Sequence, residues 1–367
     1  MKKIQSIRIF WVRNLIRQSI NIPLRLQQAA PGSAERHSQG HPHTNHVQWL
    51  APVFHKARPT RIITIAGFSI VTLAIFLTDC NSRPSTQAHK PAVVFQTDFG
   101  LKDGAVSAMK GVATGVDADL KLYDLTHEIP AYNIWEAAYR LQQTAPYWPA
   151  GTVFVSVVDP GVGTTRKSVV AKTRNGLYIV TPDNGTLTLI AESIGIESIR
   201  EIDEVINRRQ NSQQSYTFHG RDVYAYTGAR LASGVISFEQ VGKPLGDQIV
   251  KIPYEKPVLK DDTLTGGIPV LDIQYGNIWT NINDSVFRQL KLSPDKKIKV
   301  KISRGGVDFF NGTLPFVNTF GAVPEGETLG YMNSLMNFSV ALNMRSFADS
   351  FHIASGPGWK VVITPAK

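Results

Sequence analysis

Three short polar segments carry the side chains best suited to chemistry. Thr97-Asp98-Phe99-Gly100, followed by Asp103, offers carboxylates. Asp159-Pro160-Gly161-Val162-Gly163-Thr164-Thr165-Arg166 sets a carboxylate near a guanidinium, and Thr217-Phe218-His219-Gly220-Arg221-Asp222 adds an imidazole. Such groups can move protons and hold anions or hydroxyls, but each segment alone is a weak signal. Gly161 and Gly163 invite a phosphate-loop reading; without a third glycine or a following Gly-Lys-Ser/Thr, turn chemistry is the better one.

All three segments follow or open regular elements. Residues 92–96, 120–125 and 153–158 are short apolar, β-branched runs separated by helical stretches at 104–116 and 133–144. That alternation predicts a parallel α/β layer with helices on its faces. Further strands are expected at 168–172 and 177–180, and a helix at 222–233. In an open parallel sheet ligands sit beyond the carboxyl ends of the strands, where the first two polar segments fall. After Pro257 the texture changes to strand-like alternation at 266–274, 297–302 and 359–364, which predicts a smaller, mostly β second domain.

The chain has 367 residues, 43% of them apolar and 19% charged, which excludes a disordered, collagen-like or wholly membrane-embedded protein and leaves length for two domains. Its 39 Lys and Arg against 29 Asp and Glu give +10, as a binder of polyanions would have. Twelve of those basic and two of those acidic residues lie in 1–90, however, so 91–367 holds 27 of each sign and nets to zero. The body therefore has no electrostatic reason to bind nucleic acid.

The single Cys80 excludes a disulfide framework and any multi-Cys metal site. Residues 62–77 form a nearly unbroken apolar run of 16, preceded by Lys56, Arg58 and Arg61, which reads as a signal or anchor with the body outside. Leu77-Thr78-Asp79-Cys80 resembles the lipobox of bacterial lipoproteins, with Cys80 as the lipid-bearing residue and Asp79 departing from the usual Gly, Ala or Ser. An uncleaved membrane anchor and a buried core helix are the other readings. Residues 1–60 read as a basic, disordered leader, with translation expected to start near Val53 and leave 54–58 as a short basic segment before the apolar run. His37, His41, His43 and His46 within it could bind a metal but lack a rigid scaffold. The expectation is an exported, membrane-anchored lipoprotein facing the periplasm or exterior, touching the membrane through its N-terminal segment only. It would comprise a leader (1–60), a signal or anchor (61–80), a linker (81–90), an α/β domain (91–257) and a β-rich domain (258–367).

Taken together and in order, the polar segments resemble the S-adenosylmethionine hydrolase family, whose relatives include fluorinating and chlorinating enzymes. The resemblance runs from about Val93 to the C-terminus, about three quarters of the chain. Besides the three segments it includes Lys110-Gly111, Gly151-Thr152-Val153, Pro182-Asp183-Asn184-Gly185, Tyr275-Gly276-Asn277-Ile278-Trp279-Thr280-Asn281 and Asn333-Ser334.

The resemblance implies cleavage of S-adenosylmethionine by water at ribose C5′, giving adenosine and methionine, with no cofactor and no metal. It places the hydrolytic trio on Asp159, Arg166 and His219, and makes the 91–257 domain the catalytic one. Water is a poor nucleophile at neutral pH because its pKa is about 15.7. A fixed guanidinium would stabilise developing hydroxide, while His219 and Asp159 are the candidates for orienting and deprotonating the water. By the same carry-over Asp98 would accept both ribose hydroxyls, with Tyr132 against the ribose. Asp103, Ala105 and Asp272 would hold the methionine end, and Asn277 with the backbone around Asn343 and Met344 would read adenine. Gly220 and Ser334 also fall at substrate positions. The halogenating relatives follow the Ser334 position with an arginine that grips the methionine carboxylate, whereas this chain has Leu335. A homotrimer is implied, each site lying between the first domain of one subunit and the second domain of its neighbour.

Two other functions stay open at this level: a non-catalytic, exported adenosylmethionine- or nucleoside-binding lipoprotein, and a halide-using enzyme. The second is disfavoured because the halogenating relatives carry Tyr at the Asp159 position and Ser at that of Gly220. Plainer roles are also available. Asp98 could cap the turn before Gly100, Arg166 could be a surface residue and His219 a buried structural histidine. Arg221 with Asp222 read as a structural pair and helix cap, and His127 as a turn residue.

Overall fold

The computed structural model describes residues 90–246 and 248–366. The leader, the apolar run 62–77, Cys80 and the histidine cluster lie outside the described residues. Among the described residues no helix is long and apolar enough to cross a membrane. This corrects the expectation of an exported, membrane-anchored lipoprotein: the helices are short segments of a folded body, and the longer ones introduced below, of 12 and 11 residues, fall well short of the roughly 20 that a span needs.

The first domain is built from β1 (Val93–Thr97), α1 (Ala105–Val116), β2 (Leu122–Thr126), α2 (Ile134–Thr144), β3 (Val153–Val157), β4 (Ser168–Thr173), β5 (Tyr178–Pro182), α3 (Thr188–Ser193), β6 (Ile196–Glu201), α4 (Tyr226–Ala232) and β7 (Pro244–Gly246). Its strands form one seven-stranded sheet in the order β2-β1-β3-β5-β4-β6-β7. The strands β2, β1, β3 and β5 run parallel, as the apolar runs predict. Side chains alternate between two buried faces: Val93, Phe95, Val153 and Val155 pack with Met109 of α1 and Ala229 of α4, while Val94 and Phe154 pack with Leu141 of α2. Strands buried on both sides have no polar face to show, hence the unbroken β-branched sequence.

The sheet is mixed rather than wholly parallel. The strand β4 is antiparallel to both β5 and β6, and β7 extends that half. Only four residues separate β4 from β5, too few for the crossover that parallel pairing requires, so the chain turns back as a hairpin through Gly176 at φ +82°. The helix expected at 222–233 also begins earlier, with a π-helical turn over Gly220–Ala225 that runs into α4.

The second domain comprises β8 (Val258–Lys260), β9 (Thr263–Gly266), β10 (Val270–Asp272), β11 (Asn277–Asn283), α5 (Asp284–Phe287), β12 (Lys297–Arg304), β13 (Val307–Pro315), β14 (Thr328–Met332), β15 (Asn337–Leu342), α6 (Phe347–Ser350) and β16 (Trp359–Pro365). They form antiparallel sheets in the orders β10-β11-β15-β14 and β13-β12-β16-β9-β8. One core draws on both, including Ile278 and Phe338 from the first sheet and Val300 and Val361 from the second. In β12 the alternation is plain, with Ile298, Val300 and Ile302 buried and Lys297 and Lys299 outside. The single strand expected over 266–274 is two, because Pro269 between Gly266 and Val270 has no N–H to give a ladder. The helix α2 holds β10 in place: Trp135 Nε1 donates to the Pro269 carbonyl at 3.1 Å and Arg140 Nη2 to that of Leu271 at 2.9 Å.

Candidate active site

Asp159 follows β3, Arg166 lies just before β4, and His219 opens the π-helical turn. The hairpin that turns β4 against β5 and the packing of α4 on the sheet bring these three segments together. Arg166 binds Asp159 in a fork: Nε donates to both carboxylate oxygens at 3.0 Å and Nη2 to Oδ2 at 2.6 Å. The same Nη2 lies 2.7 Å from His219 Nδ1. Arg166 Nη1 donates to Ser168 Oγ at 2.9 Å, and Ser168 Oγ lies 3.2 Å from the Tyr224 hydroxyl. The opposite ring nitrogen, His219 Nε2, sits 2.8 Å from Arg208 Nη2, which also donates to Glu204 Oε2 at 2.6 Å. His219 and Arg208 are buried.

Electrostatics follow from this packing. Burial, reinforced by the Arg166 and Arg208 charges and opposed by Glu204 and Asp159, holds the His219 imidazole below its ordinary 6.5, so the ring is neutral at pH 7. Burial works against the charge on Arg166, yet its hydrogen bonds to Asp159 keep the guanidinium above its usual value. Burial, with the neighbouring Asp159 carboxylate, also raises the Tyr224 phenol, which stays protonated.

Asp159 and His219 share a cavity of about 260 Å³ with Asp98, Phe99, Tyr132, Val162, Phe218 and Gly220. Asp98 Oδ2 accepts the backbone N–H of Tyr132 at 2.8 Å, pinning that residue at φ +67° with its ring exposed. This bond engages one carboxylate oxygen and reaches a distant loop; at the turn before Gly100 it is Thr97 Oγ1, not Asp98, that accepts from the Phe99 N–H at 3.2 Å. Gly220 is crowded: a Cβ there would meet the Phe99 ring at 3.1 Å. Asp103 and Ala105 do not line this cavity; Asp103 Oδ1 accepts from the Ala105 N–H at 2.9 Å at the start of α1. The loop after β3 is turn chemistry, with Thr164 Oγ1 donating to the Gly161 carbonyl at 2.6 Å and Gly163 at φ +77°.

The remaining predicted residues gather elsewhere. Asp272, Asn277, Ser334, Asn343 and Met344 line a second cavity, of about 640 Å³, in the second domain, together with Trp279 and Arg345. Asn277 Nδ2 donates to Asp272 Oδ2 at 3.0 Å. Leu335 packs beside Ala138, Tyr139, Val270 and Trp279, where an arginine would be out of place. The two cavities share no residue within the chain. Arg221 and Asp222 form the expected pair at 2.8 Å, joined by Arg209 at 2.9 Å. His127, buried in its turn, bridges Thr97 and Asp124.

Sequence reasoning missed Arg208, Glu204, Ser168 and Tyr224. Arg208 lies in a polar stretch without period, 11 residues before His219. It is set in place by its neighbour Asn207, whose amide donates to the Val241 carbonyl at 2.8 Å and whose carbonyl accepts from Thr227 of α4 at 3.0 Å.

The fold and the site define a class: a two-domain protein in which an α/β sheet presents an aspartate, an arginine and a histidine beyond its strand ends, ahead of a domain of antiparallel sheets. Comparison with known sequences makes the class specific. The SAM hydroxide adenosyltransferase N-terminal domain matches residues 93–242 and the SAM hydroxide adenosyltransferase C-terminal domain matches residues 266–360, and the chain belongs to that family. It is 35% identical over 261 residues to an (R)-S-adenosyl-L-methionine hydrolase of Methanocaldococcus jannaschii, covering 67% of this chain and 91% of that protein. A fluorinase of Nocardia brasiliensis is 28% identical, covering 74% and 97%. Among solved structures, an uncharacterized conserved protein from Thermotoga maritima matches with a TM-score of 0.68 at 33% identity, covering 74% of this chain and 99% of that one. The family match begins at residue 93 and so lends the export expectation no support either.

Proposed function

We propose that the protein hydrolyses S-adenosyl-L-methionine, water attacking ribose C5′ to give adenosine and L-methionine. The observation that carries this reading is the meeting of Arg166 Nη2 and His219 Nδ1 at 2.7 Å beside Asp159, at the cavity beyond β3. The leaving group is a cationic sulfonium that departs as a neutral thioether, so no acid need protonate it. What the reaction lacks is hydroxide, which a buried guanidinium stabilises as it forms. Hydroxide meeting sulfonium annihilates charge, and a dry site favours that provided fixed dipoles replace the lost water. Alignment of the two reactants adds a factor worth effective molarities of about 10⁵ M or more. The scheme needs no cofactor.

In this reading Asp98 binds the ribose hydroxyls with its remaining lone pairs and Tyr132 covers the ribose. Asp103, Ala105, Asp272 and Ser334 hold the methionine end, and Asn277, Asn343 and Met344 read adenine. A halide route is disfavoured, because Asp159 occupies the wall and the crowding of Gly220 by Phe99 leaves little room for a serine. The α/β domain (91–257) supplies the catalytic half and the β-rich domain (258–367) the other. In this reading the complete site forms between the first domain of one subunit and the second domain of a neighbour in a homotrimer, which is supported by the two cavities sharing no residue within the chain.

The test is to incubate purified protein with S-adenosyl-L-methionine and follow adenosine by chromatography, with and without chelator. Adenosine release is expected in both, falling by about 10²-fold or more in His219→Ala and Arg166→Ala. Tight binding without turnover would replace hydrolysis with a binding role, and 5′-halo-adenosine formed only with halide would make the protein a halogenating enzyme.

A further inference from the structure

His219 stands between two groups that can only donate. Arg166 Nη2 faces Nδ1 at 2.7 Å and Arg208 Nη2 faces Nε2 at 2.8 Å, and a guanidinium has no acceptor. A neutral imidazole has one lone pair in the ring plane and one N–H; an imidazolium has no lone pair. The ring can therefore accept from one arginine, and its N–H must then oppose the other.

The surroundings decide which arginine keeps the lone pair. Arg208 is sealed: its side chain is 3% exposed, the Tyr216 ring lies 4.8 Å from its guanidinium carbon, and its Nη1 is already buried with no partner among the described residues. Without the ring nitrogen Nη2 would keep only its bond to Glu204 Oε2, leaving its second N–H unpartnered beside the unpartnered Nη1, which is costly at a buried side chain. Arg166, by contrast, lines an open polar groove of about 450 Å³, and His219 and Asp159 line the catalytic cavity, so an oxygen can enter on the Nδ1 side.

We infer that Arg208, held by Glu204, is a positioning residue that fixes His219 as the Nδ1–H tautomer, with Nε2 accepting from Arg208. Nδ1–H and Arg166 Nη2 are then two donors converging on one acceptor, and the oxygen of the attacking water satisfies both. This rests on the hydrolase reading and settles the proton's course within it. His219 cannot take a proton at Nδ1, so the water gives its proton to Asp159, whose Oδ1 accepts only from Arg166 Nε and retains a lone pair, while Oδ2 is engaged by Nε, Nη2 and the Tyr224 hydroxyl. The resulting hydroxide bonds to C5′ as the C5′–S pair goes to sulfur, leaving adenosine, neutral methionine thioether and protonated Asp159. The charged groups facing the ring are Asp159, Arg166, Glu204 and Arg208, with the Tyr216 phenol at its edge.

The experiment is ¹⁵N NMR of the histidine-labelled protein without substrate, with His219→Gln identifying the signal. The wild-type ring is expected to show protonated Nδ1 and unprotonated Nε2. Arg208→Met should revert it to the Nε2–H tautomer that free histidine prefers and lower kcat by about 10²-fold with KM little changed. Arg208→Lys, which keeps a donor and the charge, should restore the tautomer. An Nε2–H ring in the wild type, or an unchanged tautomer in a folded Arg208→Met, overturns the inference. Because the tautomer is read without substrate, an absence of adenosine release would sink the hydrolase reading alone. Should Arg208→Met fail to fold, the wild-type spectrum and Arg208→Lys still decide.

Discussion

His219 is neutral because of where it is held, and that links its role to the pH dependence of folding. Unfolded, the ring titrates near 6.5; folded, burial and two guanidiniums keep it lower. Between those values the unfolded chain binds more protons, so stability rises with pH. The contribution is complete above about 6.5 and is lost as pH falls through the depressed folded value. Urea unfolding of the wild type from pH 7.5 to 5 should therefore show stability falling toward acid, with a shallower slope in His219→Gln; equal slopes would mean the ring titrates alike in both states. Asp124 and Asp222, whose hydrogen bonds to Lys110 and Arg221 overcome burial and hold their carboxyls low, add a similar loss only at more acid pH. At this scale the sequence told much about some residues and nothing about others. Asp159, Arg166 and His219 stood in motifs of recognisable order, whereas Arg208 and Glu204 act through a loop whose path is set by Asn207 gripping the Val241 carbonyl, a tertiary contact that no local pattern encodes.

The element that aims His219 is the π-helical turn running into α4. Its opening brings Gly220 against Phe99, and further on Gly228 lets α4 approach β3, where a Cβ would lie 2.6 Å from Val155 Cγ2. Gly228→Ala should thus destabilise: overpacking costs about 1–3 kcal/mol against up to about 1 kcal/mol gained from helix propensity. In α1, Gly115 has open space where its Cβ would go, so the same change there should stabilise by up to about 1 kcal/mol. Thermal unfolding of the two variants should shift in opposite directions; two downward shifts would show that Gly115 is also a packing position. The parallel strands β1 and β3 were legible because both faces are buried and the apolar runs are continuous. The direction of β4 was not, since it depends on how short the turn to β5 is. Nor was the break between β9 and β10, until Pro269 was seen to fall inside the expected strand.

For the whole molecule the decisive feature is that the predicted substrate contacts, Asp103 and Ala105 apart, fall into two cavities with no shared wall. The first, at about 260 Å³, is small for a nucleoside carrying an amino acid, and Tyr132 at 73% exposure sits at its edge as an uncovered aromatic. The second has Tyr275 and Met344 exposed in the same way, at 67% and 81%. Apolar groups left open at both halves are what a heterologous contact between copies would cover. On the proposed trimer, His219→Ala spoils the first half and Asp272→Ala the second, so each variant alone is inactive. Dissociated and reassembled in equal amounts, they should regain about a quarter of wild-type activity, because one interface in four then pairs an intact first half with an intact second half. Recovery that stays at the level of the separate variants would place each complete site within one subunit and rule the shared arrangement out.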